Sequence, residues 1–433
     1  MTRLTALSLA LLALASMAWA EAPKPPNVVL IVSDDQGWTD FGFMGHEHIK
    51  TPRIDRLASE GLAFRHGYVP SSLCSPSLAT ILTGLYPHQH RVTSNDPPAL
   101  PQKGVAKKKA ARADRAEILR LFDDQPGLPR LLGEHGYVSL QTGKWWGGNY
   151  RRGGFTQGMS HGELGPGGRH GDEGLTIGRE TMAPVTSFID RAASDGAPFF
   201  VWYAPMLPHQ PHDPPERLLK KYRGIAPTLP IAKYWAMCEW FDETVGALLD
   251  HLDAKGLADN TLVAFVVDNG WIQEPDADRY AARSKQSPYD GGLRTPVLLR
   301  WPGHIKPGVI DTPVSSIDIA PTVLAACGVK PSAELQGVNL LDPKAVEARP
   351  TIFGECFTHN AVDLKVPASS LRFRWVLSDG WKLIVPEPRN EPTASVELYH
   401  VAADPFEAND QAGAQPGRVA DLKAKLDGWW PGR

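Results

Sequence analysis

The sequence predicts an α/β fold in which a central, mostly parallel sheet is flanked by helices and followed by a small C-terminal α+β subdomain. Three observations carry that expectation. Residues 27–33 (NVVLIVS) and 261–267 (TLVAFVV) are continuous apolar runs of strand length, the pattern of strands buried on both faces. Segments with helical periodicity separate them and can cover both faces of a sheet. After about Leu341 the texture changes to short strand signals at 371–378, 381–385 and 396–400, closed by an amphipathic helix near 418–426.

At the N-terminus, Arg3 precedes an apolar stretch over 4–19, shorter than the ~20 residues of a comfortable membrane span, and Ala18-Trp19-Ala20 offers small residues for cleavage. Residues 1–20 read as a signal peptide. The chain is therefore expected to be exported, periplasmic or secreted, with no membrane span. Strand 27–33 leads into helices at 52–59, 76–82 and 106–122. A strand at 137–142 precedes residues 147–178, too long and too glycine-rich for a passive connection and expected to shape a site. Helix 181–194 and strand 198–203 follow. Helix 232–255 presents Tyr234, Cys238, Phe241, Val245, Leu248 and Leu252 on one face. Strand 261–267 is followed by another at 296–300 and by helix 317–327. The expected division is a signal peptide over 1–20, a main unit over 21–341 and the C-terminal subdomain over 342–433.

With 433 residues, 42% hydrophobic content and only four cysteines, the chain can bury a large core without a disulfide framework. A formal net charge of −3 gives no reason to expect nucleic acid or an anionic membrane as partner, and the run Lys107 to Lys109 reads as a solvated helix face. Packing explains Cys238 and Cys327. Cys356 ends a strand-like run, and spacing alone does not choose among disulfide pairings. Cys74 differs from these: it lies in the turn SSLCSPS just ahead of an apolar helical run, where a helix N-terminus favours negative charge.

In an open parallel sheet, ligands bind beyond the C-terminal ends of the strands. Asp34 and Asp35 follow the first apolar run, and Asp268 and Asn269 follow the other. Either pair alone would read as a turn or helix cap. Two pairs at matching strand ends point to a metal, and the all-oxygen donor set suits Ca²⁺ or Mg²⁺.

The motifs SDDQGW (33–38), LCSPS (73–77), TGKW (142–145), APMLPHQPH (204–212), VVDNGW (266–271) and SKQSPYDGGLRTP (284–296) resemble, in this order, the type I sulfatase family of the alkaline phosphatase superfamily. The resemblance runs from about Asn27 to the segment 397–405. It implies an alkaline-phosphatase-like sheet and a sulfuric ester hydrolase that releases sulfate from an aryl or carbohydrate sulfate. By the same resemblance, one Ca²⁺ per chain is held by Asp34, Asp35, Cys74, Asp268 and Asn269. Cys74 is oxidised to formylglycine by a formylglycine-generating enzyme, and its hydrate is both nucleophile and metal ligand. Lys144 and Lys285 hold sulfate oxygens, and His209 sits beside the leaving-group oxygen.

Two positions depart from the family pattern. Leu78 stands where CxPSR would have arginine, and Trp146 where GKWH would have histidine. The first change removes a fixed charge beside the nucleophile and part of the pattern read by the maturing enzyme. The second removes an acid/base group of a kind that contributes ~10²- to 10⁴-fold in rate. His88, His90, His161, His170 and His212 are candidates to replace it. Two other functions fit the scaffold: hydrolysis of phosphate or phosphonate esters, and non-catalytic binding of sulfated glycans. Asp268-Asn269, where two-metal phosphatases carry Asp-His, weighs against the first; the intact acidic quartet, both lysines and His209 weigh against the second. The loop 167–174 with Arg151, Arg152 and Trp271 is the expected recognition surface.

Overall fold

The computed structural model describes residues 24–99, 113–123, 125–162 and 170–432. The expected signal peptide, the lysine run 107–109 and residues 163–169 of the glycine-rich loop lie outside the described residues. Along the chain the strands are β1 (Asn27–Ser33), β2 (Leu62–Phe64), β3 (Gly67–Tyr68), β4 (Val138–Gly143), β5 (Gln157–Gly158), β6 (Phe199–Ala204), β7 (Thr261–Val267), β8 (Val297–Arg300), β9 (Gly308–Ile310), β10 (Val314–Ser315), β11 (Thr351–Phe357), β12 (Leu371–Ser378), β13 (Trp381–Pro386) and β14 (Glu397–His400). The central sheet has the order β5-β4-β6-β1-β7-β8-β2-β9; β3 pairs with β10, and β11 to β14 form a separate four-stranded sheet.

Both apolar runs are central strands, buried along their whole length. They pair in parallel with Ser33 opposite Val267, so the residues that follow each strand emerge side by side. Successive side chains of a strand point to opposite faces. Val28, Leu30 and Val32 accordingly pack with Leu262, Ala264 and Val266 in one apolar cluster, and Val29 and Ile31 with Val263, Phe265 and Val267 in another. Helix Cys74–Thr83 covers the first face and helix Leu229–Ala254 the second. β4 and β6 extend the parallel core beyond β1.

The strand expected at 296–300 is present, but it runs antiparallel to β7 and β2. A parallel partner needs a crossover to the other end of the sheet. Residues 268–296 make none: they contain a single short helix, Asp290–Leu293, and the chain re-enters the sheet at the end it left. A second difference concerns Cys74, expected in the turn ahead of its helix. It is instead the first helical residue, because Leu73 takes the extended cap conformation (φ −138°, ψ 136°) and its carbonyl accepts from the Ser77 amide at 3.0 Å. Pro76 fits in this first turn, where its missing N–H leaves no helical bond unmade. Of the helix expected at 106–122, residues 113–120 are helical. All four cysteines are free. Among the described residues no helix is long and apolar enough to cross a membrane.

The antiparallel sheet β11 to β14 is fastened by buried charge to helix Asp290–Leu293, which precedes β8, and through it to β3. Lys382 on β13 is fully buried, and its Nζ donates to Asp290 Oδ1 at 2.8 Å and lies 2.9 Å from Glu407 Oε1. The Tyr68 hydroxyl on β3 donates to Asp290 Oδ2 at 2.9 Å, and the Asp290 amide donates to Glu407 Oε2 at 2.7 Å. Burial pushes the Glu407 carboxyl up to about 7, against the opposing pull of Lys382. Removing one partner of such a group leaves uncompensated buried charge. Lys382→Ala is therefore expected to destabilise the protein by about 3–5 kcal/mol, read as a lower midpoint of urea unfolding; an unchanged midpoint would show that the network contributes no stability.

Candidate active site

The strand ends β1 and β7 converge on one cluster. Neighbouring residues of an extended chain point to opposite sides, yet Asp34 and Asp35 both face the cluster, because Asp35 turns into the left-handed region at φ 62°. Aspartate is among the few residues that tolerate this conformation. Asp268 Oδ1 accepts from the amides of Asp35 at 3.0 Å and Asn269 at 2.7 Å, which ties the two strand ends together. The Asn269 Nδ2 donates to Asp35 Oδ1 at 2.7 Å. Lys144 follows Gly143, the last residue of β4, and its ammonium pairs with Asp34 and, at 3.0 Å, with Asp268 Oδ2. Lys285 grips both oxygens of Asp35 at 2.6 Å each.

Burial dominates the electrostatics. It pushes the Asp34 and Asp268 carboxyls up to about 6, with Lys144 opposing. Burial acts upward on Asp35 as well, but Lys285, His209 and Lys144 outweigh it and hold that carboxyl well below the usual range. The Cys74 thiol is pushed up to about 11 by its burial, so as a thiol it is a poor nucleophile near neutral pH. Burial drives His209 down to about 3. Its Nδ1 lies 2.5 Å from the Gln210 carbonyl, which fixes the proton on that nitrogen and leaves Nε2 facing Asp35 Oδ2 at 3.4 Å.

Ligand atoms of Asp34, Asp35, Cys74 and His209 all lie within 4.8 Å of one another. Two further features fit a hard cation. Asp34 Oδ2 and Asn269 Oδ1 are buried oxygens with no hydrogen-bond partner, and unsatisfied acceptors of this kind are rare in protein interiors. The available donors are mainly carboxylate and amide oxygens, the chemistry that Ca²⁺ and Mg²⁺ prefer. Beside the cluster a cavity of about 190 Å³ is lined by Asp35, Cys74, His209 and Lys285. Lys144, expected to hold sulfate oxygens, sits behind the carboxylates and does not line this cavity.

The Sulfatase family model matches residues 26–329, and the N-sulphoglucosamine sulphohydrolase C-terminal model matches residues 280–427. The chain belongs to the type I sulfatase family. It is an enzyme of the class that hydrolyses sulfate esters. Human N-acetylgalactosamine-6-sulfatase is 31% identical over 373 residues, 77% of this chain and 68% of that protein. Human arylsulfatase A is 30% identical over 389 residues, 76% of this chain and 69% of that one. The crystal structure of Ps i-CgsB has the same fold, with a TM-score of 0.73 at 24% identity over 94% of each chain.

Within this sulfatase the two departures are both buried. Leu78, one helical turn after Cys74, belongs to the apolar core. Trp146 lines the cavity and packs on His170, with ring centroids 4.9 Å apart. Of the five histidines considered as replacements, only His170 lines the cavity. His88 pairs with Glu355, His90 bonds Thr80, His161 faces Glu173, and His212 packs on Tyr234 and Trp271. The expected recognition surface is partly redirected: Arg152 pairs with Asp123 and Arg151 lies over Tyr150, while Trp271 does line the cavity. Sequence reasoning missed Asn95, Tyr280, Gln286 and His359, which also line it. Gln286 follows Lys285 directly and could have been read from that motif. Asn95 reaches the site because its Oδ1 accepts from the Ser75 amide at 2.8 Å, and His359 arrives from the C-terminal sheet; neither leaves a local sequence signal.

Gly143 sets where Lys144 enters. It holds φ 74°, and a Cβ there would lie 1.9 Å from the Ala204 carbonyl oxygen. Gly143→Ala therefore combines backbone strain of about 1–3 kcal/mol with a clash against β6. A clear fall in the unfolding temperature is the expected result; an alanine variant as stable as the parent would mean that the strand end can move away without penalty.

Proposed function

We propose that this sulfatase hydrolyses an aryl or carbohydrate sulfate, using one Ca²⁺ and a formylglycine made from Cys74 by a formylglycine-generating enzyme, and that it acts outside the cytoplasm. The observation that carries the reading is a single cavity that joins Cys74 to Asp35, Lys285 and His209, with two unsatisfied buried oxygens, Asp34 Oδ2 and Asn269 Oδ1, beside it. Support for the substrate class comes from relatives named as an N-acetylgalactosamine-6-sulfatase and an arylsulfatase. The expected leader at 1–20 supports export.

In this reading Ca²⁺ would supply Lewis-acid stabilisation of sulfate oxygens, and an aldehyde hydrate at residue 74 would supply the attacking hydroxyl, neither of which a buried thiol at about 11 can provide. Asp34, Asp35, Asp268 and Asn269 would hold the cation. Residue 74 opens a ten-residue helix, whose dipole favours the negative charge of a bound sulfate near its N-terminus. Lys285 lines the cavity and supplies fixed positive charge to the same oxygens. Lys144 acts from behind, by holding Asp34 and Asp268 in their ionised form. His209 keeps its Nδ1 proton on the Gln210 carbonyl. An anionic substrate raises the affinity of Nε2 for a second proton, which that nitrogen can then deliver to the departing oxygen.

Asp268→Ala is expected to abolish stoichiometric Ca²⁺ uptake in calorimetry; a variant that still binds one Ca²⁺ with parental affinity removes the strand ends from the metal assignment. For residue 74, the mass of the tryptic peptide from protein made in its native host should correspond to the aldehyde. Full sulfate release by protein whose Cys74 is wholly unmodified would overturn the formylglycine reading.

A further inference from the structure

We propose that the substrate is a carbohydrate sulfate rather than an aryl sulfate, and that Asn95, Tyr280 and Gln286 read hydroxyl groups of its sugar. The inference deepens the sulfate-ester reading of the cavity and rests on it. All three residues line the cavity that holds Cys74 and Lys285, and their side chains are neutral. Each is tied to the protein through one polar contact and has hydrogen-bonding capacity left over. Asn95 Oδ1 accepts from the Ser75 amide at 2.8 Å. A backbone N–H can only donate, so the orientation of the Asn95 amide is fixed, and Nδ2, which has no acceptor among the described residues, is a free donor. Gln286 Nε2 donates to the Tyr280 hydroxyl at 2.8 Å, which leaves the Tyr280 proton as a second donor and Gln286 Oε1 as an acceptor. With that amide reversed, the pair would still present one donor and one acceptor. None of these free atoms is sealed in the interior.

The three groups are also fixed in place. The Asn95 amide donates to the His359 carbonyl at 3.0 Å. Gln286 takes φ 66°, a region that residues other than glycine seldom enter. It is pinned there on both sides: its amide donates to the Ser72 carbonyl at 2.9 Å, and its carbonyl accepts from Arg372 Nη1 at 2.7 Å. The Tyr280 ring packs edge-on against Trp271, with centroids 5.4 Å apart at 66°. A sugar hydroxyl both donates and accepts, so donors and an acceptor with set directions match a ring that carries several hydroxyls. The ring of an aryl sulfate has no such groups and would leave all three side chains desolvated without partners. A site built to hydrogen-bond a hydroxyl rejects the analogue that lacks it much more strongly than an apolar pocket rejects an added hydroxyl. The aromatic lining suits both substrate classes, and the three polar groups decide between them.

The test uses the full chain as Cys74→Ala with Ca²⁺, so that esters bind without turnover and affinity is read by calorimetry. The probes are a set of hexose and N-acetylhexosamine monosulfates, nitrophenyl sulfate and inorganic sulfate. At least one sugar monosulfate is expected to bind about tenfold or more tighter than nitrophenyl sulfate. Added singly to that protein, Tyr280→Phe, Gln286→Met and Asn95→Ala should each weaken this sugar about three- to tenfold relative to inorganic sulfate, the range of one hydrogen bond. Nitrophenyl sulfate should follow inorganic sulfate in all three variants. Nitrophenyl sulfate bound as tightly as every sugar monosulfate, or variants that weaken all probes equally, overturns the proposal and leaves the sulfate site standing. If no probe binds, inorganic sulfate included, the sulfate reading of the cavity falls and this proposal with it. Tyr280→Phe removes a single oxygen and decides the contact even where Asn95→Ala, which also uncaps the Ser75 amide, folds poorly.

Discussion

Three carboxylates buried side by side at the ends of two adjacent strands repel one another, and the surrounding structure is arranged to offset that repulsion. Two unit charges 4 Å apart interact by about 4 kcal/mol at an effective dielectric constant of 20, on the scale of a whole domain's stability. Parallel pairing of β1 with β7 puts Asp34, Asp35 and Asp268 in reach of each other, and the left-handed turn at Asp35 completes the convergence. Lys144 answers Asp34 and Asp268, and Lys285 answers Asp35. Three carboxylates against two ammonium groups leave excess negative charge among buried oxygens that lack partners. A divalent cation bound there, as proposed, would remove that excess and free lysine charge for an incoming anion. In that reading, structural charge balance and substrate affinity would draw on the same groups.

Lys285 depends on a part of the chain remote from it. Its segment, 284–296, is held against the β7 end by a hydrogen bond from the Gly270 amide to the Gly292 carbonyl at 2.8 Å, in contact so close that a Cβ at Gly270 would lie 2.3 Å from the Gly291 carbonyl oxygen. On its other side, Asp290 is fixed by Lys382 of the C-terminal sheet. That sheet also sends His359 to the cavity rim. It thus holds one of the cations that offset the buried carboxylates, and it contributes to the wall a substrate meets.

The sequence made some of this legible and hid the rest for physical reasons. Strands buried on both faces are continuous apolar runs, so β1 and β7 could be read directly, and the acidic residues just past them could be placed at one edge of the sheet. Direction was not legible at β8: its composition matches a parallel core strand, and only the path of residues 268–296 decides its sense. The helix at Cys74 began two residues earlier than expected, because its start is set by the conformation of Leu73, which carries no capping side chain. The motif match brought Lys144 to the cluster, but whether an ammonium faces a cavity or a carboxylate depends on tertiary geometry. Arg152 read as a recognition residue by charge alone, and an aspartate 29 positions earlier claims it.

Leu78 and Trp146 change the site through volume as much as through chemistry. Residues four apart on a helix share a face, so Leu78 lies below Cys74, within an apolar cluster that includes Leu82 and Val323. A guanidinium in such surroundings would be a buried charge, whereas the leucine packs with its apolar neighbours. At Trp146 the indole lines the cavity and packs at a tilt of 58° against His170. With the family arginine absent, the positive charge lining the cavity among the described residues comes from Lys285 and the helix N-terminus at residue 74, and any metal held by the strand ends would add to these. The attraction for a sulfate ester is thereby concentrated on the carboxylate side of the cavity. The rest of the lining includes the aromatic rings of Trp146, Trp271 and Tyr280, which distinguish ligands by shape more than by charge.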